Sequence, residues 1–343
     1  MKKEKTYINV LKGIGALMVV IAHGPKTNFV SSIVVPCFLA LFFWVSGYTY
    51  NYKKEYIYNS FINTIKLMLE LGTFEIIMRH ILSILVYNSA FDLKQIIDSY
   101  IGLFISVANH PRYFDYLWFF PCIFTTKLVF HISHLINNKK ISFIISLILS
   151  IIGFFVWVYT QNPADYLWHL PIALLMQIVL EFGYLCKLYD NSKGETNIGG
   201  IFTIFIPILT IMFFLMLLKS PIDADLHTGM FTNGYLYCMY MLIEIPIIIF
   251  IAKRIDKNKL LEYMGKNSAY FFAYQVIYIE LFKAVISSFA DDMNIFLQMI
   301  TIVPLTCLSI YFTIEGRKEI ICMIRKLNNC KKLTAVIKKV VHL

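Results

Sequence analysis

Ten stretches of this chain are each about long enough and apolar enough to cross a lipid bilayer. They cover residues 7–24, 29–50, 61–87, 117–136, 141–160, 166–187, 198–218, 235–252, 268–288 and 294–315. A helix needs about 20 mostly apolar residues to span the hydrocarbon core, where the backbone must satisfy its own hydrogen bonds. The expected fold is therefore all-α, a polytopic membrane protein of about ten transmembrane helices. Composition agrees. Apolar residues make up 58% of the 343 residues and charged residues 15%, and the mean hydropathy is +0.67. A soluble domain carries about 25% charged residues and could not hide this much apolar surface. A cytosolic enzyme, a disordered tail protein and a disulfide-rich secreted module are excluded.

The net charge of +10 is a topology signal. With the N-terminus placed in the cytoplasm, 21 of the 31 basic residues fall in inside segments. Four fall outside: Lys26, Lys94, Arg112 and Lys219. The alternation puts both termini on the cytoplasmic side of the membrane. No nucleic-acid partner is expected from it. No A-x-A cleavage pattern follows the first stretch, so it reads as an uncleaved span. Residues 1–315 form the expected transmembrane domain. Residues 316–343 alternate basic and apolar side chains and read as an amphipathic cytoplasmic tail on the anionic inner leaflet. The seven cysteines show no C-x-x-C spacing; they read as buried thiols, with no metal site expected. A phosphate-binding P-loop and a G-x-S-x-G elbow are both absent.

Polar groups inside lipid are costly, so each marks a candidate site. The first stretch holds Asn9, Lys12 and His23. At 100° per residue, Lys12 lies 300° from Asn9, and His23 lies about 20° past three full turns from Lys12. All three share a face, with His23 about 16 Å above Lys12. Gly13 and Ala16 leave room beside that face. The third stretch carries Lys66, Glu70, Glu75 and Arg79 and is expected to be broken or re-entrant. Glu181, Glu244 and Glu280 also lie in spans and read as structural, with Lys127 or Lys283 as partners.

These residues carry a resemblance. Asn9-Val10-Leu11-Lys12-Gly13, with His23 beyond it, resembles the first-span motif of the acyltransferase 3 family of integral-membrane O-acyltransferases. Phe42-Phe43-Trp44-Val45-Ser46-Gly47-Tyr48 resembles the family's aromatic run into Ser-Gly-Tyr. Leu117-Trp118-Phe119-Phe120 resembles its Leu-Trp-Phe-Leu stretch. Gly265-Lys266-Asn267-Ser268 resembles its entry to a late span. Four positions depart from the pattern: Asn9 replaces an acid, Asn63 one arginine of an R-x-x-R pair, Glu70 a proline, and Gln275 a histidine.

The resemblance implies acyl transfer from cytoplasmic acetyl-CoA to a hydroxyl of a cell-surface polysaccharide or a lipid-linked glycan, without a permanently bound cofactor. It makes Asn9, Lys12, Ser46, Lys66, Lys266, Asn267 and Ser268 the donor-binding candidates, with the pantetheine arm running up the first-span face. His23 is the expected general base or transient acyl carrier. Asp115 or Glu75 is its orienting carboxylate. Tyr113, Tyr116 and Trp118 are the acceptor-binding aromatics. Richness in Ile, Lys and Asn suits an AT-rich bacterial genome, hence a multi-pass protein of the bacterial cytoplasmic membrane. A glycan transporter or flippase, and an inactive membrane sensor or scaffold, are the rival readings. Alkaline phosphatase fused after residue 138 is expected to be inactive and after residue 220 active. The reverse pattern would turn the whole chain over.

Overall fold

The computed structural model describes residues 6–53, 55–87, 90–107, 117–160, 165–193, 198–220, 224–225, 230–231, 234–289 and 293–341. Its helices are α1 Thr6–His23, α2 Asn28–Val34, α3 Ala40–Thr49, α4 Tyr56–Tyr87, α5 Leu93–Ile105, α6 Phe119–Ser133 and α7 Lys139–Tyr159. They continue with α8 Leu170–Leu175, α9 Gln177–Lys193, α10 Ile198–Lys219, α11 Gly234–Arg254, α12 Lys259–Lys266, α13 Ser268–Phe289 and α14 Ile295–Val341. Ala224–Asp225 pairs antiparallel with Met230–Phe231, the one strand pairing among the described residues.

Each of the ten apolar stretches is helical. Among the described residues, six single helices are long and apolar enough to cross a membrane, and a bent pair makes a seventh. The chain is a multi-pass membrane protein. The other three stretches depart from a plain span for visible reasons. Residues 29–50 are α2 and α3, separated by a turn around Pro36, which has no N–H to continue a helix. Residues 61–87 fall within α4, which is continuous over 32 residues rather than broken or re-entrant. In α10, an apolar helix of described side chains covers only Phe205–Lys219.

The charges of α4 do not break it, because other helices neutralise them. Arg79 Nε lies 3.0 Å from Glu75 Oε1, and its Nη1 lies 3.0 Å from Glu280 Oε2 on α13. Glu70 accepts from Tyr270 Oη at 2.6 Å and pairs with Arg317 of α14 at 2.5 Å. Thirty-two residues make about 48 Å of helix, against about 30 Å of hydrocarbon. α4 is therefore longer than a single upright crossing needs. The last helix also runs on: no proline follows Pro304, and α14 continues to Val341, so residues 316–341 are its extension rather than a separate helix.

The bend between α8 and α9 is 56°. Its cause is Ser150 of α7, whose hydroxyl sits in the helix ladder. Ser150 Oγ accepts from Ile178 N at 2.8 Å and donates to Leu174 O at 3.4 Å, the two groups that would otherwise bond each other.

Glycines set the closest helix contacts. A Cβ at Gly13 would lie 2.0 Å from Leu261 O, and one at Gly265 would lie 1.7 Å from Asn9 O. So α12 lies backbone to backbone along the first half of α1. A Cβ at Gly47 would meet Leu180 O at 1.9 Å, and one at Gly183 would meet Trp44 O at 2.1 Å. This second reciprocal contact locks α3 to α9. Small residues serve this purpose where no hydrophobic force drives helices together.

The lysine-rich loops share one end of the bundle. Lys253, near the end of α11, stands 5.2 Å over the Tyr7 ring at the start of α1. Tyr48 Oη donates to Asp190 Oδ2 at 2.7 Å, joining the same ends of α3 and α9. Asn138 and Asn258 cap α7 and α12 there, accepting from Ile141 N at 3.3 Å and Leu261 N at 3.0 Å.

Gly13→Ala and Gly265→Ala are each expected to destabilise the purified protein by about 1–3 kcal/mol, the cost of overpacking against backbone. Gly316→Ala, with nothing within 4 Å of its added methyl, is expected to leave thermal unfolding in detergent unchanged.

Candidate active site

His23 ends α1 with its ring exposed. Its Nδ1 lies 2.9 Å from Val19 O, one turn back. A carbonyl oxygen can only accept, so this contact is a hydrogen bond when Nδ1 carries a proton; in the neutral ring of that tautomer Nε2 holds the lone pair. The Gln275 carboxamide of α13 faces the same Nδ1 at 3.2 Å. Its two ends are alike in shape, and its Oε1 has no other hydrogen-bond partner among the described residues. With the oxygen turned towards Nδ1, both groups are satisfied and the ring is held from two sides. Phe38 meets the imidazole edge-on at 6.2 Å.

A cleft of about 770 Å³ opens among α3, α4, α6 and the start of α13. Its α4 wall runs from Tyr56 to Leu67, about 17 Å along the helix axis. The polar lining consists of Lys53, Glu55, Asn59, Ser60, Asn63 and Thr64, with Lys127 of α6 and Ser268 of α13 opposite. Lys127 is half-buried and has no anionic partner among the described residues. An ammonium in that position suits a polyanionic ligand. Ser268 opens α13, where free backbone N–H groups add to the positive field.

The inner end of the cleft is aromatic. Phe42, Phe119, Phe120 and Phe272 line it. Phe119 and Phe272 have ring centroids 4.9 Å apart, and Phe42 meets Phe119 at 5.8 Å. Phe272 stands three residues before Gln275 on α13, about 4.5 Å along the axis. Phe42 stands four residues after Phe38. The cleft therefore ends one helical turn below the groups that touch His23.

The other site candidates take up varied places. Asn9 is buried in the α1–α12 contact, its side-chain oxygen without a hydrogen-bond partner among the described residues. The first-span face beside Gly13, expected to leave room for the donor, is instead filled by the α12 backbone. Lys12 is half-buried on α1, and Ser46 is buried beside the α3–α9 glycine contact. Lys66 is exposed and lies off the cleft lining. Lys266 pairs with Glu262 at 2.6 Å on the α12 surface. Asn267 spends its amide on Tyr263 O at 2.9 Å, closing α12. Of the late-span motif, Ser268 alone reaches the cleft.

Glu75 is fully buried and bonded to Arg79, its second oxygen without a hydrogen-bond partner among the described residues. Trp118 is buried, its ring 4.9 Å from that of His169. It heads α6 and packs inwards, which does not suit a sugar-facing aromatic. Asp115, Tyr113 and Tyr116 lie outside the described residues. Glu181 does not pair with Lys127: it accepts from Ser146 at 3.0 Å and stands 3.4 Å from His134 Nε2. Glu280 is taken by Arg79.

A site of this plan, a cationic cleft leading to a histidine across the bundle, can be compared with known families. Residues 5–314 match the acyltransferase domain model of the acyltransferase 3 family. The chain belongs to the acyltransferase 3 family. No curated protein and no solved structure matches it. Membership makes it a membrane acyltransferase.

Two residues of this candidate site were given no part in it by the sequence. Lys127 was masked by the surplus of carboxylates that could have paired with it. Gln275 stood out only as a departure from the family pattern. If Gln275 positions His23, then Gln275→Leu lowers kcat for acyl transfer about tenfold or more and leaves KM for the donor unchanged. Gln275→Glu, which still accepts from Nδ1–H, retains more activity than Gln275→Leu. A purely structural role gives the opposite order, because a buried carboxylate costs more than a leucine.

Proposed function

We propose that the chain is an O-acyltransferase of the bacterial cytoplasmic membrane. It moves an acetyl group from acetyl-CoA to a hydroxyl of a cell-surface polysaccharide, such as capsule or exopolysaccharide, or of its lipid-linked precursor. The observation that carries this reading is the alignment of the cleft with His23. A passage lined by Lys53 and Lys127, neither with an ion-pair partner among the described residues, stops about one turn below Gln275 and Phe38, the groups that touch His23. An anionic donor with a thin reactive arm suits the first, and a hydroxyl acceptor the second.

The chemistry balances on these groups. The donor's phosphates rest near Lys53, Lys127 and the start of α13, on the cytoplasmic side by the charge alternation of the loops. The pantetheine arm passes the phenylalanine rings and brings the thioester beside His23. His23 Nε2 takes the acceptor's hydroxyl proton as the oxygen bonds to the thioester carbon. The carbon–sulfur bond breaks, and the proton passes to the departing thiolate. The fixed tautomer favours this general-base role over a transient acyl-imidazole, because Nδ1–H stays bonded throughout.

The test is proton NMR of surface polysaccharide from wild-type, deletion and His23→Ala strains. Both mutants are expected to make the glycan without its acetyl methyl signals. A deletion strain that loses the glycan itself would point to a transporter, and unchanged signals in both would sink the transferase reading. In the purified protein, Lys127→Gln is expected to raise KM for acetyl-CoA about tenfold or more, the worth of one charge-assisted contact, with kcat little changed.

A further inference from the structure

The lip of the cleft carries an aromatic stack that the reaction above does not use. Tyr52, in the loop between α3 and α4, is 63% exposed. Its ring lies 5.4 Å from that of His131 on α6, only 14° from parallel. Tyr56, which lines the cleft, lies 5.6 Å from the same imidazole at 25°. Three flat rings in near-parallel register thus lead from solvent to the cleft mouth.

The stack is pre-set rather than loose. Tyr50 Oη and His131 Nδ1 are 2.9 Å apart. A phenol and an imidazole nitrogen at that distance share one hydrogen bond, which fixes the plane of the His131 ring. Lys187 of α9 donates to Tyr50 O and to Asn51 Oδ1. The loop is therefore tied to α6 and to α9 on either side of the stack. Lys53 follows Tyr52 directly and enters the cleft lining.

We infer that Tyr52, backed by His131, is a stacking platform for the purine base of a nucleotide-bearing donor. This rests on the acyl-CoA reading above and extends it to the end of the donor that carries no reactive group. Planar faces prefer a planar partner, and base–aromatic stacking contributes substantially to affinity in other nucleotide sites. Lys53 and Lys127 stand on the cleft side of the platform, where the phosphates follow the base. Glu55, the carboxylate at the same mouth, suits the exocyclic amine as an acceptor and keeps the phosphates on the lysine side.

The experiment compares CoA with 4′-phosphopantetheine, which lacks the adenosine, as ligands of the full chain in lipid nanodiscs. The wild type is expected to bind CoA more tightly. Tyr52→Ala is expected to weaken CoA binding roughly tenfold, in line with the loss of one stacked base, and to leave 4′-phosphopantetheine unchanged. Tyr52→Phe keeps the flat face and is expected to bind as the wild type does. Equal CoA affinity in wild type and Tyr52→Ala would overturn the platform and leave Tyr52 an interfacial tyrosine, with the donor reading intact. Equal weakening for both ligands would overturn it too, as a distortion of the cleft. A wild type that binds neither ligand would remove the CoA reading itself, and the platform with it.

Discussion

The backbone contact between α12 and α1 is the constraint on which the rest of the site depends. Gly13 and Gly265 let two helices meet main chain to main chain. That contact fixes where α13 begins, since only Asn267 separates it from α12. The start of α13 brings Ser268 to the cleft, and two turns later the same helix offers Gln275 to His23. Without those two hydrogens in place of methyl groups, the base and the cleft would not lie in register. The α3–α9 contact through Gly47 and Gly183 does the same for the opposite wall, holding Phe42 at the cleft's end.

Much of this was legible in the chain. Apolar run length is a local property, and all ten stretches are helical. His23 drew notice as a titratable group at the end of an apolar stretch, and the Gln275 carboxamide of α13 comes within 3.2 Å of its Nδ1. What was not legible depends on partners distant in sequence. Four charges in one stretch implied a broken α4, yet Tyr270, Glu280 and Arg317 arrive from α13 and α14 to neutralise it. Gly13 implied room for a ligand, yet α12 fills the space. A small residue announces a close approach without saying what approaches. Trp118 read as a surface aromatic because loop and helix start were indistinguishable there.

Gln275 shows how a departure from a pattern can mark a site. A histidine at that position would itself titrate beside His23. The carboxamide does not titrate, and it is polar enough to fix a tautomer. The substitution keeps hydrogen bonding and gives up charge, so the polarity of the pair is carried by one ring rather than two.

The phenyl rings at the inner end of the cleft have a consequence beyond packing. A passage open from one face of a membrane to the other would be an electrical short circuit. Each elementary charge crossing it would dissipate about 2.3 kcal/mol per 100 mV of membrane potential. Phe42, Phe119, Phe120 and Phe272 offer a file of water no hydrogen-bond partners in their side chains. Rings of that kind disfavour a continuous file of water at the end of the cleft, which is the condition for a deep polar cleft not to become a proton leak.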